Sequence, residues 1–242
     1  MGLEAAKRFT DQGSRVIMVA RNGTRLRNEA ERLPGAVAHP CDITDAEQVA
    51  RLLSFVSSEH SDLDTVLLNA AVTHTYRLFG TEDAYAHAEV EMRTNYLSAI
   101  RLINGLVPLL HQQAARKQTD PADPALIVTT SGVAFAPDIT NPTYSATKAA
   151  LHSLVQSVRL QLERDGSPIK VFEFMAPLVD SPFSAGVVSD RKMPATDAIA
   201  ALFDGMEREE LELHVGMTAD VHQALRRSSD AAVRAVNAAT GG

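Results

Sequence analysis

Tyr144 and Lys148 are the two residues in this sequence that are best spaced to do chemistry together. They open and close the segment YSATK, and residues four apart share one face of an α-helix, so the phenol and the ammonium group project side by side. The pattern Y-x-x-x-K is common by chance, and an isolated match could be two ordinary residues on a helix surface. Its meaning therefore depends on the residues that accompany it.

Other polar residues follow the ends of predicted elements in a definite order. Ser131 lies at the end of the apolar run ALIVTTS, and Asn95 lies within a long predicted helix. Asn69 follows the apolar run TVLL, and the segment CDITD at 41–45 follows an earlier strand. Asparagine is a common turn former at a strand end, so each residue alone could have a purely structural role. Together with the Tyr–Lys pair they form a specific set.

This set resembles the short-chain dehydrogenase/reductase superfamily over essentially the whole chain. The resemblance implies an α/β fold of Rossmann type, in which helices cover both faces of a doubly wound parallel sheet. It implies an oxidoreductase that interconverts a small-molecule carbonyl and alcohol, with NADP as the preferred cofactor and NAD as the alternative. It also implies a homodimer or homotetramer. Relatives that use this fold for epimerisation or dehydration usually have longer chains.

The resemblance assigns catalytic roles to four side chains. Tyr144 would be the general acid that protonates the carbonyl oxygen, or the base in the reverse direction. Lys148 would supply the positive charge that a phenol needs near neutral pH, and would hold the nicotinamide ribose. Ser131 would orient the substrate oxygen. Asn95 would anchor a water molecule that links Lys148 to solvent.

On the adenine side of the cofactor, the resemblance implies contacts at the ends of two strands. Asp42 and Ile43 align with the pair that flanks the adenine. Members that prefer NAD usually carry an acidic residue after the strand that reads the adenine ribose, where it accepts from the 2′-hydroxyl. Here that strand ends in Ala20-Arg21, which favours a 2′-phosphate and hence NADP, although Arg21 could also be a solvated turn residue.

On the nicotinamide side, the sequence departs from the family pattern twice. Asn69, Ala70 and Ala71 align with a turn that ends in glycine in the family, and alanine there is a mild change only where no positive φ is needed. Pro177 and Val179 would lie against the nicotinamide amide, in a segment where the family often has Pro-Gly. Both segments are nevertheless expected to contact the cofactor.

The family also begins with a strand and a TGxxxGxG turn that cradles the pyrophosphate at a helix N-terminus. In this sequence Gly2 aligns with the last glycine of that turn, and the first strand is missing. Without that strand, two interior strands would lose their shared partner. Three explanations compete. The start codon could lie upstream of Met1, the chain could be truly short and cofactor-deficient, or the sheet could close around a rearranged N-terminus. A rival function follows from the second explanation: a catalytically silent relative that acts as an interaction or scaffold protein.

The alternation of short β-branched runs with longer amphipathic segments also predicts a parallel sheet. Helices are predicted at 2–12, 24–32, 44–55, 81–113, 142–165, 195–208 and 219–239, and strands at 14–20, 36–39, 64–70, 125–131, 168–175 and 211–215. Thr44 with Glu47 resembles a capping box, and Pro108 should kink or stop its helix. A loop at 117–124 and an irregular substrate loop at about 176–194 are expected. Since no linker divides the chain, one domain over 1–242 is predicted.

Composition excludes several other classes of function. The formal charge is −7 and no basic run occurs, so no nucleic-acid partner is expected. A single cysteine, Cys41, fits a reducing, cytoplasmic location, and the scattered histidines give no metal-ligand spacing. With no long apolar run, no membrane partner is expected. A stripe of small residues would pack within the monomer or, as commonly in the family, in a dimer. Its members are Ala146, Ala150, Ser153 and Ser157.

Overall fold

The computed structural model describes residues 1–116, 123–187 and 189–238. Residues 117–122 of the predicted loop, and Val188 of the predicted substrate loop, lie outside the described residues. The strands are β1 (Ile17–Ala20), β2 (Val37–Pro40), β3 (Thr65–Leu68), β4 (Ala125–Ser131), β5 (Lys170–Ala176), β6 (Val179–Asp180), β7 (Met193–Pro194) and β8 (Glu212–His214). The helices are α1 (Gly2–Asp11), α2 (Gly23–Ala30), α3 (Ala46–Glu59), α4 (Ala84–Met92), α5 (Ser98–Arg116), α6 (Pro142–Arg164), α7 (Ala195–Glu207), α8 (Met217–Arg227) and α9 (Ser229–Asn237).

The strands pair in parallel, as predicted, but in separate sheets. One sheet contains β1 and β2, with Ile17 opposite Val37. A second sheet has the order β3-β4-β5-β8, and β6 pairs with β7 in a short third ladder. The predicted fold class, a parallel α/β arrangement of the Rossmann type, is confirmed.

The central strands β4 and β5 are buried on both faces, which explains their nearly continuous apolar sequence. Successive side chains of a strand point to opposite faces. Leu126 and Val128 therefore pack with residues of α3, α5 and α6. Ile127, Phe172 and Phe174 pack on the other face with residues of α1 and α7. This two-sided core fixes the carboxyl ends of both strands, where Ser131 is the last residue of β4 and Pro177 follows β5.

The sheet is interrupted between β1 and β3. Both strands lie wholly within the described residues, and no hydrogen bonds join them. A cavity of about 720 Å³ lies between them, lined by residues 16–20 of one strand and 65–68 of the other, with Ala6 of α1 and Leu102 of α5 among its walls. The expectation that two interior strands lack a shared partner is confirmed. The alternative in which the sheet closes around a rearranged N-terminus is wrong, because the first residues form α1 and leave the gap open.

The predicted long helix at 81–113 is confirmed as a continuous helical run that consists of α4, a π-helical segment at Arg93–Leu97, and α5. Two finer predictions are wrong, a stop at Pro108 and a single helix at 219–239, because α5 continues through Pro108 to Arg116. A proline in a helix interior costs about 3 kcal/mol, and the burial of Leu106 and Leu110, at about 1.5–3 kcal/mol each, offsets it. The helix predicted at 219–239 is broken at Ser228, whose extended backbone and side chain cap α9.

The predicted capping box is also wrong. Asp45, and not Thr44, caps α3, because its carboxylate accepts from the amides of Glu47 at 2.8 Å and Gln48 at 3.1 Å. The hydroxyl of Thr44 instead donates to Asp42 at 2.8 Å. A carboxylate is favoured at this position because it also interacts with the positive end of the helix dipole.

Candidate active site

Tyr144 and Lys148 lie one turn apart near the start of α6. Pro142 occupies the first turn of this helix, as predicted. Lys148 is 2% exposed, and its Nζ donates to the carbonyl oxygen of Thr129 at 2.8 Å. The same nitrogen lies 5.7 Å from the centre of the Tyr144 ring. The end of β4 and the first turns of α6 thus hold the two side chains together.

Ser131 completes this arrangement from the last position of β4. Burial raises the pKa of Tyr144 well above its ordinary value, a hydrogen bond to Ser131 opposes this shift, and the charge of Glu91 adds to it. Tyr144 is therefore protonated at neutral pH. Burial is the largest influence on this pKa, and the role of Lys148 as the charge that supports the phenolate stays a prediction.

The ammonium group of Lys148 is more acidic than that of an ordinary lysine. Burial lowers the pKa of Lys148 to about 8, and the negative charge of Glu173 acts in the opposite direction. At neutral pH the side chain is still largely protonated. An ammonium group next to a protonated phenol is suited to stabilising the phenolate that forms when the phenol gives up its proton.

Asn95 lies in the π-helical segment, and π-helical turns often occur at functional sites. Its Oδ1 accepts from the amide of Val72 at 2.8 Å, and its Nδ2 donates to the Val72 carbonyl at 2.9 Å and to the Thr147 hydroxyl at 3.0 Å. The side chain thus fastens the turn after β3 to α6. These contacts give Asn95 a bracing role, and its role as a water anchor stays a prediction.

Replacing Asn95 with alanine should destabilise the protein by about 2–4 kcal/mol, because Val72 and Thr147 would lose buried hydrogen-bond partners. For a chain of this size, this lowers Tm by roughly 4–16 °C, as measured by circular dichroism. Asn104→Ala, at an exposed position on α5, is the matched control. Equal melting of the two variants would contradict the bracing role.

Four of the residues predicted to contact a cofactor line the cavity between β1 and β3: Gly2, Ile43, Asn69 and Ala70. A Cβ atom at Gly2 would lie 3.2 Å from Nδ2 of Asn69, so the start of α1 closely approaches the end of β3. Met1 precedes α1 and, in the part of the chain that is described, makes no side-chain hydrogen bond to its first amides. Uncapped amides at a helix N-terminus suit a phosphate group.

Arg21 and Asp42 come together at the carboxyl ends of β1 and β2, outside the residues that line the cavity. The carboxylate of Asp42 accepts from the amide and the hydroxyl of Thr44, at 2.9 and 2.8 Å. The pKa of Asp42 is lowered chiefly by the hydrogen bond from the Thr44 amide and further by the charge of Arg21. Arg21 is exposed and accessible to an anionic group.

The segment predicted as an irregular substrate loop has more order than expected. The ladder of β6 and β7 closes it, because Met193 donates to the carbonyl of Leu178 at 2.8 Å. Val179 is buried in β6, and Pro177 precedes it. From this loop the ring of Phe183 reaches within 5.9 Å of the Tyr144 ring, centre to centre. An apolar side chain therefore faces the phenol.

Sequence reasoning missed a buried network beside Tyr144. The carboxylate of Glu91 accepts from the His74 amide at 2.7 Å and from the Thr143 hydroxyl at 2.5 Å, and the hydroxyl of Tyr76 also contacts Thr143, at 2.6 Å. The network joins the chain after β3 to the residue next to Tyr144. One signal was present: Glu91 precedes Asn95 by four residues, so the two share a helix face.

Comparison with known proteins identifies the family. The sequence model of the family described as short chain dehydrogenase matches residues 1–192. The chain belongs to this family. The short chain dehydrogenase assignment also makes it an oxidoreductase of the NAD(P)-dependent type in general.

Individual proteins are similar to this chain in sequence or in fold. The uncharacterized oxidoreductase DltE of Bacillus subtilis (strain 168) is 33% identical over 182 residues, which are 75% of this chain and 68% of DltE. A short chain dehydrogenase from Burkholderia cenocepacia J2315, solved in complex with NADP, superposes with a TM-score of 0.82 at 21% identity, covering 96% of this chain and 91% of that one. The Sphingobium yanoikuyae short-chain dehydrogenase, solved in complex with NADPH, gives 0.74 at 24% identity, covering 93% and 88%. The two structures confirm the fold.

Across the ranges given above for the structure, no helix is both long and apolar enough to cross a membrane. Nor do three or more His, Cys, Asp or Glu side chains, among those same residues, form a group that could hold a metal ion.

Proposed function

We propose that this short chain dehydrogenase reduces a small-molecule carbonyl to an alcohol with NADPH, acting as one domain. The observation that supports this proposal is the arrangement of three side chains. Ser131 lies next to Tyr144 at the end of β4, where its hydroxyl acts to lower the pKa of the phenol, and Lys148 lies one helical turn away on the same face of α6. Phe183 faces the same phenol, which favours a substrate with an apolar part next to its carbonyl.

In the proposed mechanism, the substrate oxygen lies between the hydroxyls of Ser131 and Tyr144. Ser131 orients it, and Tyr144 donates its proton as negative charge develops on the oxygen. Lys148, charged at neutral pH, stabilises the resulting phenolate. Bound NADPH supplies the hydride. Tyr144 is protonated at neutral pH, which its role as proton donor in the reduction requires.

The residues present fit a dinucleotide along the carboxyl ends of the strands. The uncapped amides of α1 suit its phosphates, and the close approach of Gly2 to Asn69 leaves little space for a side chain at that position. Arg21 would bind the 2′-phosphate, with NAD as the alternative where that contact is not used. The further contacts are assigned to Asp42, Ile43, Ala70, Tyr144, Lys148, Pro177 and Val179.

One observation favours the rival function, a silent relative that acts as an interaction or scaffold protein. The cavity between β1 and β3 extends to Gly2 and Asn69, so the phosphate-binding edge is open on one side. Against this rival, the side chains around Tyr144 are closely arranged and hydrogen-bonded, which a scaffold function does not require. Cofactor binding separates the two functions.

The expected assembly and location stay proposals. The small-residue stripe is largely exposed at Ala146, Ser153 and Ser157, so it does not pack within the monomer. It is the face that a homodimer or homotetramer would use. The buried Cys41 fits a cytoplasmic location.

The proposed function is tested by titrating the protein with NADPH and NADH and following nicotinamide fluorescence. We expect saturable binding with a Kd on the order of micromolar, tighter for NADPH. Arg21→Ala should weaken NADPH binding by about 10–100-fold, because a hydrogen bond to a charged group contributes about 1.5–3 kcal/mol, and should change NADH binding little. Arg164→Ala, at an exposed position in the last turn of α6, is the control.

The outcomes of this titration are distinct. If wild type binds neither cofactor, the oxidoreductase proposal is rejected for this chain and the silent relative is favoured. If Arg21→Ala weakens both cofactors equally, Arg21 does not read the 2′-phosphate.

A further inference from the structure

Glu173 is a fully buried carboxylate that the proposed mechanism does not use. It lies in the middle of β5, is 0% exposed, and faces α6. The Thr130 hydroxyl donates to its Oε1 at 2.6 Å, and Nδ1 of His152 lies 2.9 Å from both of its oxygens. A buried charge is costly unless it is paired, so the position of this carboxylate requires an explanation.

The partners of Glu173 connect it to the candidate active site. Lys148 and His152 are four residues apart, so Tyr144, Lys148 and His152 follow one another along one face of α6. Lys148 donates to the carbonyl of Thr129, and the next residue of β4, Thr130, donates to Glu173. The carboxylate therefore lies against the same short stretch of β4 and α6 that holds the ammonium group.

We propose that Glu173 is a positioning residue for Lys148: its carboxylate, oriented by Thr130 and His152, holds the Lys148 side chain in its ammonium form next to Tyr144. This inference rests on the proposed function, since it concerns the charge that stabilises the Tyr144 phenolate. It extends that function by one residue on a strand distant in sequence from α6.

The electrostatics agree with this geometry. Burial lowers the pKa of Lys148, and Glu173 is the group whose charge raises it. The pKa of His152 is raised, chiefly by its hydrogen bond to Glu173. At low pH, protonated His152 shares the negative charge of Glu173. As pH rises through the raised pKa of His152, that proton is lost and the full charge of Glu173 acts on Lys148.

The other titratable groups near Glu173 and Lys148 differ from them in one of two ways: they are paired with another side chain, or their pKa keeps them neutral at neutral pH. Arg159 donates to Glu212 at 3.0 Å. The rings of His214 and His222 stack at 3.9 Å, and burial lowers the pKa of His214, so it is neutral at neutral pH. The titratable and charged groups that face the pair are Tyr144 and Arg159 of α6, Glu212 and His214 of β8, and His222 of α8.

A purely structural role for Glu173 would predict loss of stability on substitution, and so would the positioning role. The titration of Lys148 distinguishes them. The chain has only five lysines, so protein labelled with ¹³C-lysine gives a simple NMR spectrum in which Lys148→Arg identifies the signal of interest. The five lysines are Lys7, Lys117, Lys148, Lys170 and Lys192.

In this titration, Glu173→Gln should lower the pKa of Lys148 by about one unit, because Glu173 is the group whose charge raises that pKa and loss of a nearby opposite charge favours the neutral amine. Glu173→Asp, which keeps the charge, should restore most of the wild-type value. Glu163→Gln, at an exposed position near the far end of α6, is the control and should leave the Lys148 titration unchanged. In activity assays, the alkaline limb of the kcat/KM profile of Glu173→Gln should shift to lower pH by the same amount.

An unchanged titration of Lys148 in folded Glu173→Gln would overturn the proposal. Should that variant not fold, the double variant Glu173→Met/His152→Leu replaces the buried pair by apolar groups of similar volume, a change that proteins often tolerate. The same lowered Lys148 pKa is expected there. Since the NMR titration needs no cofactor, failure of wild type to bind NADPH would reject the proposed function and leave the lysine result to be judged separately.

Discussion

Replacing Tyr144 with phenylalanine is expected to lower kcat/KM for carbonyl reduction by about 10²–10⁴-fold, the usual contribution of a positioned general acid. The substitution removes only the hydroxyl, so the ring that contacts Phe183 stays in place. NADPH binding should change by less than about threefold, since the hydroxyl acts mainly on the substrate oxygen in the transition state. The measurement is the rate of NADPH oxidation with a panel of apolar ketones and aldehydes.

Tyr85→Phe is the matched control for this experiment. Tyr85 lies on α4 with 79% of its surface exposed, so loss of its hydroxyl should leave activity unchanged. If Tyr144→Phe keeps more than about a tenth of the wild-type rate while Tyr85→Phe is normal, Tyr144 does not serve as the acid. A wild type that binds NADPH but reduces none of the panel would contradict the proposed reduction of apolar carbonyl compounds.

Local sequence signals predicted the elements that hold this site. The run ALIVTTS corresponds to β4 from its first to its last residue, because a strand buried on both faces is apolar throughout and polar loops bound it. The helix that carries Tyr144 begins at Pro142, as predicted, and the chain turns at Gly166 with a φ of +66°, the conformation that favours glycine. Strong terminators fixed both ends of α6.

The acidic residues around the site could not be predicted in this way. Glu173 interrupts an apolar run, yet its partners Thr130 and His152 lie in other segments, and no local pattern shows that the three meet. Glu91 likewise reads as an ordinary helix residue until His74 and Thr143 are placed next to it. Burial of a carboxylate is a property of tertiary packing. Periodicity identifies the face of a helix or strand but does not identify the side chains opposite it.

The cavity between β1 and β3 is large enough to hold a β-strand. Neighbouring strands lie about 4.8 Å apart, each residue extends a strand by about 3.3 Å, and a sheet with its side chains is about 10 Å thick, so one residue fills roughly 160 Å³. A cavity of about 720 Å³ therefore has room for a short strand. The facing edges of β1 and β3, four residues each, have no strand partner within the described chain.

An N-terminal extension that places a strand in this cavity should stabilise the protein strongly. The extension would be five valine or isoleucine residues joined to Met1 by a glycine-rich turn. Buried side chains of this kind contribute about 1.5–3 kcal/mol each, against an ordering cost of about 1–2 kcal/mol per residue. A net gain of a few kcal/mol would raise Tm by roughly 5–10 °C in a chain of this size, measured by scanning calorimetry.

The matched control is an extension of the same length built from serine, glycine and aspartate, which cannot replace the apolar contacts with Ala6 and Leu102. Hydrogen exchange supplies the decisive readout, because a strand in the cavity would pair with backbone groups of Ile17–Ala20 and Thr65–Leu68 and slow their exchange. Equal melting and equal exchange in the two extended proteins would show that the cavity does not accept a strand. Since Gly2 and Asn69 border the same cavity, a strand that orders it should also tighten NADPH binding. The gap in the sheet would then limit cofactor affinity as well as stability.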